Sequence, residues 1–362
     1  MIYNDIRKPK KEIRVGKSAL GGNKPILIQS MTNTDTEDVR ATLAQIKALE
    51  TAGCEIVRIT VPNLNAAKTI LAIKEDGVSI PIVADIHFDY KIALACAELG
   101  FDKIRINPGN IGDNEKVRAV ANACKARNIP IRIGVNSGSL EKNILAKHGA
   151  PTAKALVESA LYHISLLEKF DFDDIVVSIK SSDVPTMIAA NRLLSESCPY
   201  PIHLGVTEAG GGDRGLVKSS IGLGSLLCDG IGDTIRVSLT DSPVEEIKAA
   251  KAILSAIGMS GKCGLDIVSC PTCGRTKIDL ISLVKEFEHR VDAEGLSGVP
   301  VKVALMGCAV NGPGEAKEAD FGIAGGVGEA LFFRQGQVVE KIPEECVIER
   351  LVAELRRYRE KK

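Results

Sequence analysis

Three cysteines in the last part of the chain sit where a metal or redox centre could be built. Cys270 and Cys273 form SCPTCGRT, a C-x2-C pair on a turn after a β-branched run, and Cys308 lies in LMGCAVNGPGE directly after another. That spacing lets two thiolates reach one metal, and a neighbouring parallel strand end can supply a third sulfur. No second C-x2-C pair provides a fourth. Three chemistries fit. A redox dithiol needs only Cys270 and Cys273 and leaves Cys308 unexplained. A structural zinc site wants four closed ligands and would recruit Cys263 or His289. An iron–sulfur cluster on three thiolates leaves one iron open to another ligand or to a substrate. The C-x3-C-x2-C pattern of radical S-adenosylmethionine enzymes is absent. Glu315 follows the tight turn NGPG and could swing its carboxylate toward Cys308 as a weak, displaceable ligand; equally, GEAKEAD could begin a helix that favours an acid at its start. The other cysteines, Cys54, Cys96, Cys124, Cys198, Cys228, Cys263 and Cys346, are scattered singly, as small core residues usually are.

A second set of reactive side chains is cationic. Arg58, Arg105, Arg132, Lys180 and Arg236 fall within β-branched runs on the parity that opposes the apolar residues. Around Arg58, for example, Val57, Ile59 and Val61 share one face and Ile56, Arg58 and Thr60 the other. Inward-facing arginines are costly unless an anion or a carboxylate compensates them. Asp85 and Glu208 are the clearest carboxylates nearby, fewer than the cations. The surplus implies an anionic ligand, and the planar guanidinium fork suits phosphate oxygens. Internal pairing with Asp102, Asp174 or Asp233 is the structural alternative. The glycine-rich segments TEAGGGDRG (207–215) and NPGNIG (107–112) could add backbone N–H donors. His87 and His203 fall on the same side as candidate polar-site residues.

Such residues need a scaffold that gathers many strand ends. β-Branched runs recur at Pro25–Gln29, Glu55–Thr60, Pro81–Asp85, Lys103–Asn107, Pro130–Val135, Asp174–Lys180, Pro201–Val206 and Asp233–Leu239. Helix-like stretches separate them, such as Thr36–Ala52, Tyr90–Gly100, Asn114–Asn128 and Thr152–Phe170. Ser242-Pro243-Val244-Glu245 reads as a capping box with proline at the first helical position, and Gly258 closes that helix. Eight βα units in about 235 residues match a (β/α)8 TIM barrel, whose sites lie at the C-terminal strand ends. A doubly wound open sheet, the alternative, rarely needs eight consecutive units. From Gly261 the rhythm stops. Strands are predicted at Lys262–Val268 and Pro300–Leu305 with a helix at Lys277–Val291 between them, then short strands between Phe321 and Lys341 and a last helix from Pro343. The expected organisation is α/β: an N-terminal barrel over residues 1–258, a glycine-rich linker at 259–261, and a C-terminal α+β domain over 262–362 that carries the three cysteines.

Composition narrows the function classes. The chain has 362 residues, 45% hydrophobic and 25% charged, which excludes a disordered polymer. Lys and Arg total 46 and Asp and Glu total 46, so no charge surplus argues for nucleic acid or a membrane surface. No apolar stretch approaches a membrane span. The N-terminal MIYNDIRKPKKEIRVGK is basic but lacks an apolar core and a cleavage site, so a secretory leader is not expected. Ten cysteines are too sparse for a disulfide scaffold and suggest a reducing cytoplasm.

Taken together, SCPTCGRT and MGCAVNGPGEA, behind VRITVP, VADIHFD, IRINPGN, IGVNSGSL, VVSIKSSD, HLGVTEAGGGDRG and GDTIRVSLT, carry a resemblance over nearly the whole chain. The sequence resembles the bacterial 4-hydroxy-3-methylbut-2-enyl diphosphate synthase family of the methylerythritol phosphate route to isoprenoids, in its compact two-domain form. The resemblance implies an iron–sulfur oxidoreductase that reduces 2-C-methyl-D-erythritol 2,4-cyclodiphosphate to the linear diphosphate, opening the ring and losing water. Two electrons would come from a flavodoxin or ferredoxin through a 4Fe–4S cluster. It further implies Cys270, Cys273 and Cys308 as ligands to three irons and Glu315 as the resting, displaceable ligand of the fourth. Arg58, Arg105, Arg132, Asn136, Lys180, Arg236 and Ser238 match the family's diphosphate-binding positions. Glu208 matches its proposed general acid, and Asp85, His87 and Asn107 are mouth residues expected to orient the substrate.

The eighth helix should run antiparallel to the strands, so Gly258 would emerge at the barrel's N-terminal face, opposite the mouth. About four linker residues reach at most ~14 Å, whereas a helix of about 15 residues spans ~22 Å. The cluster domain is therefore expected to close on the mouth of a second chain in a head-to-tail homodimer, as the resemblance also implies. Two other functions use the same residues: a non-redox iron–sulfur hydro-lyase, and a phosphate-binding barrel with a zinc-stabilised interaction module.

Overall fold

Two short strands that the sequence reading does not foresee, β1 (Ile13–Val15) and β2 (Ser18–Leu20), form an antiparallel hairpin turned at Gly16, whose φ of 54° suits a residue without Cβ. Ile13, Val15 and Leu20 are buried with Leu27, Ile56, Val83 and Val176 from the starts of four later strands, so the hairpin plugs that end of the barrel. The computed structural model describes residues 6–259, 264–309 and 316–360, and the chain groups into two compact units, Met1–Ile253 and Leu254–Lys362.

In the first unit every predicted run overlaps a strand: β3 (Leu27–Met31), β4 (Ile56–Thr60), β5 (Ile82–Asp85), β6 (Lys103–Ile106), β7 (Ile131–Asn136), β8 (Ile175–Lys180), β9 (His203–Leu204) and β10 (Thr234–Ile235). All pairs are parallel in the order β8-β7-β6-β5-β4-β3-β10-β9, and a parallel bridge between Val177 and Ile202 closes the ring. The architecture is the expected (β/α)8 barrel. The last two strands are shorter than their runs. Gly205 follows β9 directly, and beyond the paired residues the two segments are held by a bond from Arg236 N–H to Leu204 O (3.0 Å).

The ring of helices comprises α1 (Val39–Ala52), α2 (Leu64–Glu75), α3 (Tyr90–Leu99), α4 (Pro108–Ile111), α5 (Asn114–Lys125), α6 (Lys142–His148), α7 (Ala153–Glu168), α8 (Val184–Ser197), α9 (Gly212–Cys228) and α10 (Pro243–Ala256). Asp38, Asn63, Asp89, Asp113, Thr152 and Asp183 cap six of them by accepting a first-turn N–H. The capping box at Ser242 forms only in part: its Oγ accepts the Val244 N–H at 3.4 Å, while Glu245 turns to Lys248 at 2.8 Å. Among the described residues no helix is long and apolar enough to cross a membrane.

Acids placed just before strands fix the opposite rim. Glu55, Asp102 and Asp233 accept the backbone N–H of Ile28, Ile82 and Ile202, each at 2.8 Å, at the start of the neighbouring strand. Asp320 does the same for Lys302 in the second unit. A buried N–H left without an acceptor costs about 1–3 kcal/mol. Asp102→Ala, which also removes an ion pair to Lys74 (3.2 Å), is therefore expected to lower stability by about that amount. A lower urea midpoint with an unchanged slope would show it.

The second unit is a five-stranded mixed sheet, β11 (Asp266–Ser269), β12 (Lys302–Met306), β13 (Phe321–Gly325), β14 (Glu329–Arg334) and β15 (Gln337–Pro343), in that order. β11, β12 and β13 are parallel and the rest antiparallel. Helices α11 (Leu280–Ala293) and α12 (Val347–Glu360) bury Phe287, Leu351 and Leu355 with Leu305, Phe321 and Phe332. α11 begins later than predicted because Asp279 caps it through the Ser282 N–H (3.2 Å). The predicted strand from Lys262 is seen from Asp266 onward; residues 260–263 lie outside the described residues.

Candidate active site

The barrel's inward positions carry charge where such barrels ordinarily carry aliphatic side chains. Arg58, Lys103, Arg105, Arg132, Lys180 and Arg236 come from β4, β6, β7, β8 and the segment after β10, and all are buried except Arg58 and Arg236, which are half-buried. Two carboxylates answer them. Asp85, ending β5, lies 3.0 Å from Arg105 Nη1 and 3.5 Å from Arg58 Nε. Burial alone would raise its carboxyl, but Arg58 and Arg105 outweigh that and hold it well below the usual carboxylate range. Glu246, from the first turn of α10, takes Arg236 through two contacts of 3.1 and 3.2 Å. Arg132 is 1% exposed, and neither its Nε nor its Nη1 has a hydrogen-bond partner. Glycines make room for this crowd: a Cβ at Gly134 would lie 2.5 Å from Arg105 Nε, and one at Gly205 would lie 2.9 Å from Lys180 Nζ.

The carboxylates that the sequence offers as internal partners are engaged elsewhere. Asp102 pairs with Lys74, Asp233 with Arg7 at 2.8 Å, and Asp174 with Lys11 at 4.0 Å. The residues the reading missed are Glu246, Lys103 and Met31, whose Sδ accepts from Arg58 Nε at 3.1 Å. Lys103 shares the parity of Arg105, which was its signal. Glu246 had only its place among the first-turn acids of α10.

Lys103 is fully buried and its Nζ is unpartnered. Burial, with Arg132 and Arg58 nearby, drives its ammonium far below the ordinary lysine value. The unfolded chain then binds more protons, so the penalty is full below the folded-state value and fades as pH rises toward the ordinary one. Lys103→Met is expected to raise ligand-free stability by about 1–3 kcal/mol, with the gain shrinking as pH rises. Urea midpoints measured across alkaline pH check both sign and trend.

Around this cluster stand the remaining candidates. Asn107 is buried; Asn136 pairs in register with Lys180 across β7 and β8 and is half-buried, as is Ser238. His87 is exposed and touches Asp85 only at 3.9 Å. Glu208 is exposed and holds φ at 52°, a left-handed backbone that costs a non-glycine residue about 1–3 kcal/mol. After it, Gly210 and Gly212 also have positive φ, and α9, with Gly211 as its N-cap, has no side-chain cap. Its first N–H groups thus need another acceptor, and an anion suits them. His203 is not a mouth residue: it is fully buried, its Nδ1 2.8 Å from Thr234 Oγ1, and burial among cations pulls its imidazole well below the ordinary value.

In the second unit, β11 and β12 are parallel neighbours, so Cys270 and Cys308 leave the same end of the sheet. Gly307 joins the two segments. Its N–H donates to Cys270 Sγ at 3.2 Å and its carbonyl accepts the Lys277 N–H at 3.0 Å. A Cβ there would lie 2.8 Å from Thr276. The turn between is tied by Cys273 N–H to Thr276 Oγ1 (3.1 Å). Hydrogen bonds from the Arg275 backbone and side chain pull the Cys273 thiol below its ordinary value, toward thiolate. Cys270 and Cys308 are half-buried, Cys273 is exposed, and all three are free thiols. Among the described residues no three metal-ligating side chains converge on one point as they stand. Glu315 and Cys263 lie outside the described residues, and His289 is exposed on α11. Soft thiols, an N–H···S bond and one thiol biased to ionise suit an iron–sulfur cluster. Of the other cysteines, Cys54, Cys96, Cys124 and Cys198 are buried as expected, whereas Cys228 and Cys346 are exposed.

Known proteins match both units of the chain. Residues 10–251 match the GcpE TIM-barrel domain and residues 266–357 the GcpE protein C-terminal domain. A relative from Ruminiclostridium cellulolyticum, named 4-hydroxy-3-methylbut-2-en-1-yl diphosphate synthase (flavodoxin), is 57% identical over 349 residues, covering 96% of this chain and 98% of its own. One of the same name from Clostridium perfringens is 57% identical over 346 residues, with 96% and 98% covered. Among solved structures, a type I 3-dehydroquinate dehydratase from Clostridium difficile superposes with a TM-score of 0.51 at 13% identity, over 69% of this chain and 99% of that one; the likeness is of fold alone. With both family models and near-full-length relatives matched across barrel and cysteine-bearing unit alike, the chain belongs to the GcpE family.

Proposed function

We propose that this chain is an iron–sulfur oxidoreductase that opens and dehydrates 2-C-methyl-D-erythritol 2,4-cyclodiphosphate to 4-hydroxy-3-methylbut-2-enyl diphosphate in isoprenoid biosynthesis. The observation that carries this reading is uncompensated charge. Six basic side chains line the barrel interior against two carboxylates, and the Arg132 guanidinium has no acid partner among the described residues. A cyclic diphosphate supplies the missing anions. The relatives' shared name supports the reaction and favours flavodoxin over ferredoxin as electron donor.

Cys270, Cys273 and Cys308, with Glu315 completing the set, would hold a 4Fe–4S cluster, which when bound supplies low-potential electrons at an iron open to the substrate. The protein's own groups do the rest. Arg58, Arg105, Arg132, Lys180 and Arg236 bind the two phosphoryl groups, with Asn136 and Ser238 as neutral donors. Asp85 and Glu246 already fix three of these guanidiniums, so the cradle needs little reordering when the diphosphate arrives. Asn107, Asp85 and His87, the last 3.9 Å from Asp85, orient the methylerythritol carbons. Glu208, exposed on a left-handed residue, gives the departing hydroxyl its proton so that it leaves as water. The reaction belongs to the cytoplasm, where the thiols stay reduced.

The test is anaerobic iron and sulfide analysis with electron paramagnetic resonance before and after adding the cyclodiphosphate. About four irons per chain, a spectrum altered by substrate, and turnover that requires a reductant are expected. A colourless zinc protein, or turnover with no electron donor, would overturn the reading.

The same reading includes a head-to-tail homodimer. Its support is α10, whose 14 residues carry the chain ~21 Å back from the strand ends before the linker begins. Mixing Arg132→Ala chains with Cys270→Ala chains should restore activity in the mixed dimers. Silent heterodimers would count against the arrangement.

A further inference from the structure

Two side chains in the barrel wall touch the cationic cluster without adding to its charge surplus. Glu246 is 3% exposed and its carboxylate is saturated. It accepts Arg236 Nε (3.2 Å) and Nη2 (3.1 Å), Ser30 Oγ of β3 (2.8 Å) and the Leu239 N–H (3.3 Å). Helix α10 thus reaches between β3 and β10 and locks the plane of one guanidinium. The remaining arm of that fork, Arg236 Nη1, faces Met31 Sδ at 3.6 Å, and the same sulfur accepts Arg58 Nε at 3.1 Å. Two like-charged guanidiniums therefore meet across a thioether.

We infer that Glu246 and Met31 are positioning residues that hold Arg236 and Arg58 side by side as a pair of phosphate clamps. The inference rests on the proposed diphosphate ligand. Sulfur at this junction has a physical reason. A carboxylate at position 31 would relieve the repulsion between the arginines, but it would also cancel the charge that a phosphate needs. A thioether accepts weakly, fixes direction and leaves the charge standing. Burial holds the Arg58 guanidinium down to about 10, and Arg236 is one of the like charges that lower it. An arriving anion relieves that repulsion, so the strain held in the empty site turns into affinity for the ligand.

The test uses full-length, anaerobically reconstituted enzyme and two readouts: steady-state kinetics with the cyclodiphosphate, and calorimetric titration with inorganic pyrophosphate. Glu246→Asp keeps the charge but shortens its reach and loosens the fork; KM and the pyrophosphate Kd should each rise about tenfold while kcat stays within about threefold. Met31→Leu should raise both constants about threefold, and Met31→Glu should weaken pyrophosphate about a hundredfold or more. A merely structural role would lower the melting temperature and leave KM and Kd at wild-type values, and that result overturns the inference. Should Glu246→Asp fail to fold, Met31→Leu decides alone, since an unchanged Kd there sinks it. The wild-type control separates the two levels: a wild type that neither binds pyrophosphate nor turns over the cyclodiphosphate brings down the functional reading itself.

Discussion

Cys270→Ala is expected to abolish turnover by at least about a thousandfold, some 4 kcal/mol of lost transition-state stabilisation, while the barrel still binds diphosphate. The sulfur of Cys270 is the anchor of the three because it is already oriented: the Gly307 N–H points at it, and its own backbone N–H holds Leu305 O at 3.3 Å. Removing it leaves Cys273 and Cys308 on separate segments with no fixed third donor. The measurement is iron content, visible absorbance and reductant-dependent turnover on anaerobic protein, set beside a pyrophosphate titration. Retained iron with full turnover would remove this residue from the metal site.

Arg132→Met should produce opposite signs in two assays. Diphosphate affinity is expected to fall about 10²–10³-fold, in line with the 2–5 kcal/mol that loss of one partner of a buried charge pair costs. Ligand-free stability is expected to rise by about 1–3 kcal/mol, because two buried donors without partners disappear. Burial, with Arg58 and Arg105 next, pulls this guanidinium well below its ordinary value, so the folded empty state already resists its charge. Calorimetry and urea denaturation read the two effects separately. If stability and affinity fall together, Arg132 is a fold-supporting residue rather than a ligand contact.

The barrel was legible because a parallel strand buried on both faces needs β-branched residues, and eight such runs recur with helical stretches between them. Strand parity carried the cations from sequence to interior, since one residue's direction fixes its neighbours'. What parity could not supply was the partner of each cation. Asp102, Asp174 and Asp233 stand just before strands and therefore at the rim far from the mouth, where Asp102 and Asp233 accept strand N–H groups. The true partner of Arg236 arrives from a helix, a contact that no local pattern encodes. The β1–β2 hairpin escaped because three residues per strand are too few to show alternation. The cysteine pair was legible from spacing. The tie through Gly307 depends on register between β11 and β12 and became visible only in three dimensions.

That tie has a bearing on repair. In small metal-dependent modules the ion supplies the folding energy, and its loss unravels the chain. Here the cysteine turn is stitched by the Lys277 N–H to Gly307 O and the Cys270 N–H to Leu305 O, and Cys270 packs against the phenylalanine-rich interior of the sheet. On the proposed reading, the main chain of this turn is held by its own hydrogen bonds, so loss of the cluster would leave the turn folded. Rebuilding the proposed centre would then call for iron, sulfide and electrons rather than for a second passage through folding.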